Sequence, residues 1–133
     1  MLEAKILNEY RTVAIVGLSP NPSRPSHRVA SYLAGNGYKV IPVNPRAQEI
    51  LGKPSYPNLS SLPEPVEVVD IFRRSEEVMP IVDEAIKIGA KVVWMQEGVI
   101  NEEAASKARD AGLLVVMNKC MLKEHQRLGK RLD

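Results

Sequence analysis

The chain has 133 residues and is short of several things that would have pointed elsewhere. Its one cysteine, Cys120, excludes an internal disulfide and with it a small disulfide-stapled scaffold. Its two histidines, His27 and His125, have no Ser or Asp arrangement near them that forms a catalytic triad, and no metal-ligand spacing is present. A net charge of +2 is too weak to argue for nucleic acid and mildly favours an anionic small molecule. No apolar run approaches membrane-spanning length. The start, MLEAKILNEY, carries Glu3, Lys5 and Glu9 and lacks the apolar core of a signal peptide, so the cytoplasm is the expected location, without a membrane partner. Repeats and low-complexity tracts are absent too, and the expectation is one domain spanning residues 1–133.

What is present is a set of five short apolar runs: TVAIVG from Thr12, KVIPVN from Lys39, VEVVDIF from Val66, KVVWMQ from Lys91 and LLVVMN from Leu113. Apolar residues at successive positions mark strands buried on both faces, as in parallel sheets. Helical patterns separate most of them. Val29, Leu33 and Ala34 share one face; Val78, Ile81, Val82, Ala85 and Ile86 recur at helical spacing; Asn101 is a natural N-cap for EEAASKARDAG. Pro80 belongs in the first turn of its helix, because deeper it would break a backbone bond. The tail puts Met121, His125, Leu128 and Leu132 on one face. The fold class is α/β: a Rossmann-like, doubly wound, parallel five-stranded sheet with helices on both faces and an expected order of 3-2-1-4-5. Pro45 to Pro65, with five of the ten prolines, reads as an irregular crossover with a short helical turn near Leu59 to Leu62.

In such sheets a ligand binds beyond the carboxyl ends of the strands, where the strand order reverses. The order 3-2-1-4-5 puts that point between strands 1 and 4. The first loop, LSPNPSRPSH, follows Gly17, the only glycine where a dinucleotide fingerprint has three. Ser19 and Pro20 lie in the loop, Ser26 reads as the N-cap of the next helix, and amides near His27 and Arg28, with Arg24, make a site for an anion. An ordinary capped turn is the other reading of that loop.

Strand 2 ends Val43-Asn44-Pro45-Arg46. An NAD site places an acid there for the ribose hydroxyls; this chain places a cation, which suits a ribose carrying a phosphate, in NADP or coenzyme A. Arg46 as a solvated loop residue is the alternative. Strand 3 ends Phe72-Arg73-Arg74. The only phenylalanine either walls an adenine pocket or fills core, and the arginines are candidates for phosphate. Gln96, Glu97 and Gly98 follow strand 4, where polar side chains and a close backbone approach suit a ligand arm.

VAIVGLSPNPSRPSHRVASYLAGNGYKVIPVNP, VVDIFRRSEEV, GAKVVWMQEGV and AGLLVVMNKCMLKEHQRL together closely resemble the small single-domain CoA-binding proteins of bacteria and archaea. These are relatives of the N-terminal CoA-binding domain of the succinyl-CoA synthetase alpha subunit. The resemblance implies coenzyme A held at the carboxyl edge of the sheet. The Gly17 to Ser26 loop would take the pyrophosphate, and Val43 to Arg46 the adenosine end with its 3′-phosphate. Phe72, Arg73 and Arg74 would form the opposite wall, with Gln96, Glu97 and Gly98 beside the pantetheine arm. Prolines stand where the synthetase loop has glycines. The synthetase also uses a phosphorylated histidine from a second domain, which this chain would have to borrow.

The resemblance puts Cys120 after strand 5 on the ligand edge. A thiol beside Lys119 at a helix start is of the reactive kind, placed to meet the CoA thiol; a buried inert cysteine is the alternative. The reading carried forward is a non-catalytic CoA-binding module. Its alternatives are the CoA-binding component of an acyl-CoA ligase assembled with a partner chain, and an NADP-binding protein.

Overall fold

A computed structural model describes residues 1–132, with side chains through Leu128. It contains α1 (Leu2–Glu9), β1 (Thr12–Val16), α2 (Pro25–Ala34), β2 (Lys39–Val43), β3 (Glu49–Ile50), β4 (Lys53–Pro54), β5 (Val68–Ile71), α3 (Val78–Lys87), β6 (Val92–Met95), α4 (Glu102–Asp110), β7 (Leu114–Val116) and α5 (Met121–Leu132). Single 3-10 turns cover Leu59–Ser61 and Ser75–Glu77.

Five strands form one parallel sheet in the order β2-β1-β5-β6-β7, and β3 and β4 make a separate antiparallel pair. All five apolar runs are strands, and the α/β, Rossmann-like class holds. The order does not. Counting the five main strands, it is 2-1-3-4-5 rather than 3-2-1-4-5. The reason lies in the proline-rich crossover. Tyr56 runs along the free side of β2, its amide donating to the Pro42 carbonyl at 3.1 Å and its carbonyl accepting from the Asn44 amide at 2.8 Å. The chain has therefore closed the outer edge of β2 before it reaches Val68. The next strand adds on the far side of β1 instead, where Ile15 faces Asp70 in register.

Alternation along the strands feeds two cores. Ala14, Val16, Val69, Ile71, Val93 and Met95 pack with α3 and α4. Val13, Ile15, Val68, Val92 and Trp94 pack under α1, α2 and α5. A fully buried Val, Leu or Ile contributes roughly 1.5–3 kcal/mol by leaving water. Asp70 is the exception on the second face: it is buried among apolar neighbours in the middle of β5.

The helix signals fare as their chemistry dictates. Asn101 caps α4, its Oδ1 accepting from the Ala104 amide at 2.9 Å. Pro80 is the third residue of α3, where its missing N–H costs nothing. Helix α2 starts two residues earlier than Ser26 as its cap would have it: Pro25 takes the first position, which its fixed φ suits, and Arg24 the cap position. Helix α1 was not anticipated; Ile6 and Leu7 bury it against the sheet assembly near α5. Met121 and Leu128 of α5 are buried, and the His125 ring lies 2.6 Å from the Tyr32 hydroxyl through Nδ1. The side chain of Leu132 lies outside the described residues. No described helix is long and apolar enough to cross a membrane.

Candidate functional site

The strand order moves the switch point. It falls between β1 and β5, not between strands 1 and 4, so the Gly17 loop and Phe72-Arg73-Arg74 become direct neighbours. Gly17 is the pivot. Its φ of +87° suits glycine, its amide donates to the Val43 carbonyl at 2.9 Å, and a Cβ there would sit 2.3 Å from the Phe72 carbonyl oxygen. Arg73 Cδ would be 3.0 Å from the same point, so the arginine stem lies across the glycine. Any side chain at 17 would wedge the two loops apart.

Three clefts open from this pivot; one, of about 440 Å³, runs past Pro45, Leu59 and Arg73 to Glu77, Pro80 and Glu84, and the two others both take in Phe72. Of these two, one, of about 300 Å³, is lined by Gly17, Ser19, Arg24, Pro25, Ser26 and Phe72. The other, of about 420 Å³, is lined by Gly17, Asn44, Arg46, Phe72, Arg73, Arg74 and Glu77. Phe72 is half-buried and belongs to both, serving the core edge and the cleft wall together.

The first loop is folded on itself. The Ser19 amide donates to Ser26 Oγ (3.0 Å), the Asn21 amide to Ser19 Oγ (3.1 Å) and the Ser23 amide to Asn21 Oδ1 (3.0 Å). Pro20, Pro22 and Pro25 have no N–H to give. The amides of His27 and Arg28 both return to the Arg24 carbonyl, at 3.1 and 3.2 Å, rather than facing the cleft. The Ser26 amide is the one in the first turn left without an acceptor among the described residues. Ser26 itself is buried and acts as a brace, not as the cap expected of it. Backbone donors are thus scarce here, and the charge of the arginines gains weight.

Asn44 welds the β2 corner to the first loop. Its Nδ2 donates to the Leu18 carbonyl at 2.9 Å, and its Oδ1 accepts from the Arg46 amide at 2.8 Å. Val43 is buried, while Pro45 and Arg46 are exposed. Among the described residues no carboxylate pairs with Arg24 or Arg46, whereas Arg73 and Arg74 both pair with Glu77. No acid occupies the end of β2.

The three residues after β6 separate. Gln96 is 2% exposed, and its Nε2 donates to Asp70 Oδ1 at 2.6 Å, so its amide is turned into the fold and away from any cleft. Asp70 Oδ2 has no partner, and burial pushes the carboxyl up to about 8 despite that bond. Glu97 is exposed and paired with Lys123 of α5 at 2.9 Å. Gly98, with a φ of +85°, donates its amide to Asn118 Oδ1 at 2.7 Å, and nothing lies within 4 Å of where a Cβ would stand.

Cys120 is half-buried and directly precedes α5, its carbonyl accepting from the Glu124 amide at 2.9 Å. Lys119 does not attend the thiol: its ammonium lies 2.6 Å from Glu3 of α1. His27 is half-buried in the first turn of α2, and His125 lies on the seam of α2 and α5.

Sequence reading missed three residues that organise this edge. Ser75 Oγ accepts from the Ile100 amide at 2.9 Å and so ties the β5 loop to the β6 loop. Asn118 sits at a φ of +60°, a conformation that Asn tolerates better than most residues, and ties the β7 loop to β6. Glu77 holds both arginines. Its signal was the opposed charge order of RRSEE.

YneT of Bacillus subtilis is 37% identical over 121 residues, covering 91% of this chain and 90% of that one. A Pyrococcus horikoshii structure superposes with a TM-score of 0.92 at 47% identity, over 95% of this chain and 89% of that one. The ADP-forming acetate–CoA ligase I of Archaeoglobus fulgidus is 26% identical over 84% of this chain, which spans only 18% of that enzyme. A family model described as a CoA binding domain matches residues 11–126, and the chain belongs to that family.

Proposed function

We propose that this chain binds coenzyme A, or an acyl-CoA, along the carboxyl edge at the β1/β5 switch point, as a binding module without a reaction of its own. The observation that carries the reading is the cleft in which Arg46, on one wall, faces Arg73 and Arg74 on the other, with Gly17 between them and no acid at the end of β2. A ribose with free hydroxyls gains nothing from such a corner; a ribose 3′-phosphate gains charge-assisted hydrogen bonds. The family match favours CoA over NADP as the phosphate-bearing nucleotide. In this reading the cleft of Ser19, Arg24 and Ser26 takes the pyrophosphate, the Val43 to Arg46 corner takes the adenosine end, and Phe72 lies against the ligand. Glu97 and Gly98 flank the pantetheine arm, and Gln96 serves from behind by holding Asp70. In the same pose oxidised CoA disulfide exchanges with the Cys120 thiolate, forming the mixed disulfide and releasing one CoA thiol, an outcome read by intact mass before and after reductant.

A second reading, that the module completes an acyl-CoA ligase with a partner chain, is supported by the similarity to part of the archaeal acetate–CoA ligases. Copurification with a larger synthetase-like subunit is its test. Thermal shift with CoA, dephospho-CoA, NADP and NAD tests the main reading. CoA at a hundred times its dissociation constant adds about 2.7 kcal/mol of stability. A shift with NADP and none with CoA refutes it.

A further inference from the structure

The arginines of the cleft are not equally free. Arg46 has no carboxylate partner among the described residues, while Arg73 Nη2 lies 3.1 Å from Glu77 Oε2 and Arg74 Nε lies 3.3 Å from Glu77 Oε1. Glu77 thus offers one oxygen to each guanidinium, an arrangement that two oxygens of a phosphate group satisfy equally well. It lines the same cleft as both arginines. Their hydrogen bonds, Arg73's first, hold its carboxyl below the usual carboxylate range. These pairs are on the surface, with the Arg74 side chain 78% exposed, and exposed pairs of this kind add little to folding. Stability does not account for them well.

We propose that Glu77 is a resident stand-in for the ligand's phosphate: it holds Arg73 and Arg74 over the cleft and is displaced when a phosphate ester enters between them and Arg46. The proposal rests on the CoA reading above and commits to the 3′-phosphate as the displacing group. A phosphate dianion outcompetes a carboxylate for two guanidiniums, but the displaced Glu77 stays close and repels it. Glu77 therefore weakens binding of every ligand that uses the arginines, and a ligand without a phosphate at that corner leaves the pairs intact.

Isothermal titration of CoA and dephospho-CoA into the wild type, Glu77→Gln, Glu77→Ala and Glu76→Gln tests this. Glu76 approaches Arg74 but not Arg73, so its variant removes a neighbouring charge without freeing both arginines. The expected result is CoA binding about three- to tenfold tighter in both Glu77 variants, the range set by releasing two exposed ion pairs. Dephospho-CoA affinity then changes by less than about twofold, as does CoA affinity in Glu76→Gln. Equal or weaker CoA binding in two folded Glu77 variants overturns the proposal, and so does equal tightening in Glu76→Gln, which reduces the effect to general charge. A wild type that binds no CoA overturns the parent reading, and this one with it; a wild type that binds CoA beside unchanged Glu77 variants overturns this one alone.

Discussion

Replacing Gly17 by alanine should be the most damaging single methyl in the molecule, and the structure separates its two costs. The first is conformational. At a φ of +87° an L-residue pays about 1–2 kcal/mol for the left-handed region. The second is steric. The new Cβ would lie 2.3 Å from the Phe72 carbonyl oxygen, well inside any real Cβ contact. The Phe72 amide is hydrogen-bonded to the Val16 carbonyl at 2.8 Å as the last rung between β1 and β5, so the clash is relieved only by turning the Phe72–Arg73 peptide or by parting the strand ends. Overpacking of this kind costs about 1–3 kcal/mol more. Gly37 supplies the control. Its φ of +89° carries the same conformational cost, but nothing lies within 4 Å of the added methyl. In urea denaturation Gly37→Ala should lose about 1–2 kcal/mol and Gly17→Ala about 2–5, and only Gly17→Ala should also lose CoA binding. Equal losses in the two variants would refute the close approach of the two loops, and with it the placement of the site on the β1/β5 switch point.

Asp70 should make stability fall as pH rises. Its carboxyl ordinarily titrates at 3.8 and is pushed up to about 8 in the fold, so the folded chain keeps a proton that the unfolded chain releases between those values. The contribution is complete below about pH 4 and is lost as pH climbs through about 8, with a slope of at most about 1.4 kcal/mol per pH unit. Asp70→Asn should flatten that segment in urea denaturation at pH 5, 7 and 9; parallel slopes would sink the assignment. Asn44→Ala removes two hydrogen bonds, one to Leu18 and one from Arg46, and should cost about 1–3 kcal/mol while loosening CoA more than dephospho-CoA. Ser26→Ala strands the Ser19 amide and should cost about 1 kcal/mol, read as a lowered melting temperature.

Strand identity was legible because burial on both faces leaves unbroken apolar runs, and each of the five runs contains its strand. Strand neighbours were not legible. Nothing in VEVVDIF says which side of β1 it joins; the answer lay in Tyr56, whose backbone closes the β2 edge with bonds any residue type except proline could make. Site residues divided in the same way. The cations at strand ends announced themselves by type and position. The direction of Gln96 did not, because the cause sits at Asp70, an acid inside an apolar run that reads from sequence only as part of a strand. Serine at a helix start suggested a cap, yet Pro25 outranked it through its fixed φ.

The loops of the carboxyl edge are tied to one another by short polar side chains acting on backbone. Asn44 joins the β2 corner to the β1 loop, Ser75 joins the β5 loop to the β6 loop, and Asn118 joins β7 to β6. Such side chains lose little rotamer freedom when fixed, so the platform is inexpensive to hold in one shape. The long cationic side chains standing on it are exposed: Arg24, Arg46, Arg73 and Arg74. Shape therefore resides in the backbone loops, and the proposed recognition in four exposed charges, two of them held by Glu77. That division is how, in the proposed site, a loop poor in glycine and free amides would serve an anionic ligand. The standard fingerprint brings backbone N–H groups to the phosphate; here prolines and internal hydrogen bonds occupy most of them, and in the proposed site guanidiniums from three different strand ends, spread over two adjoining clefts, would stand in their place.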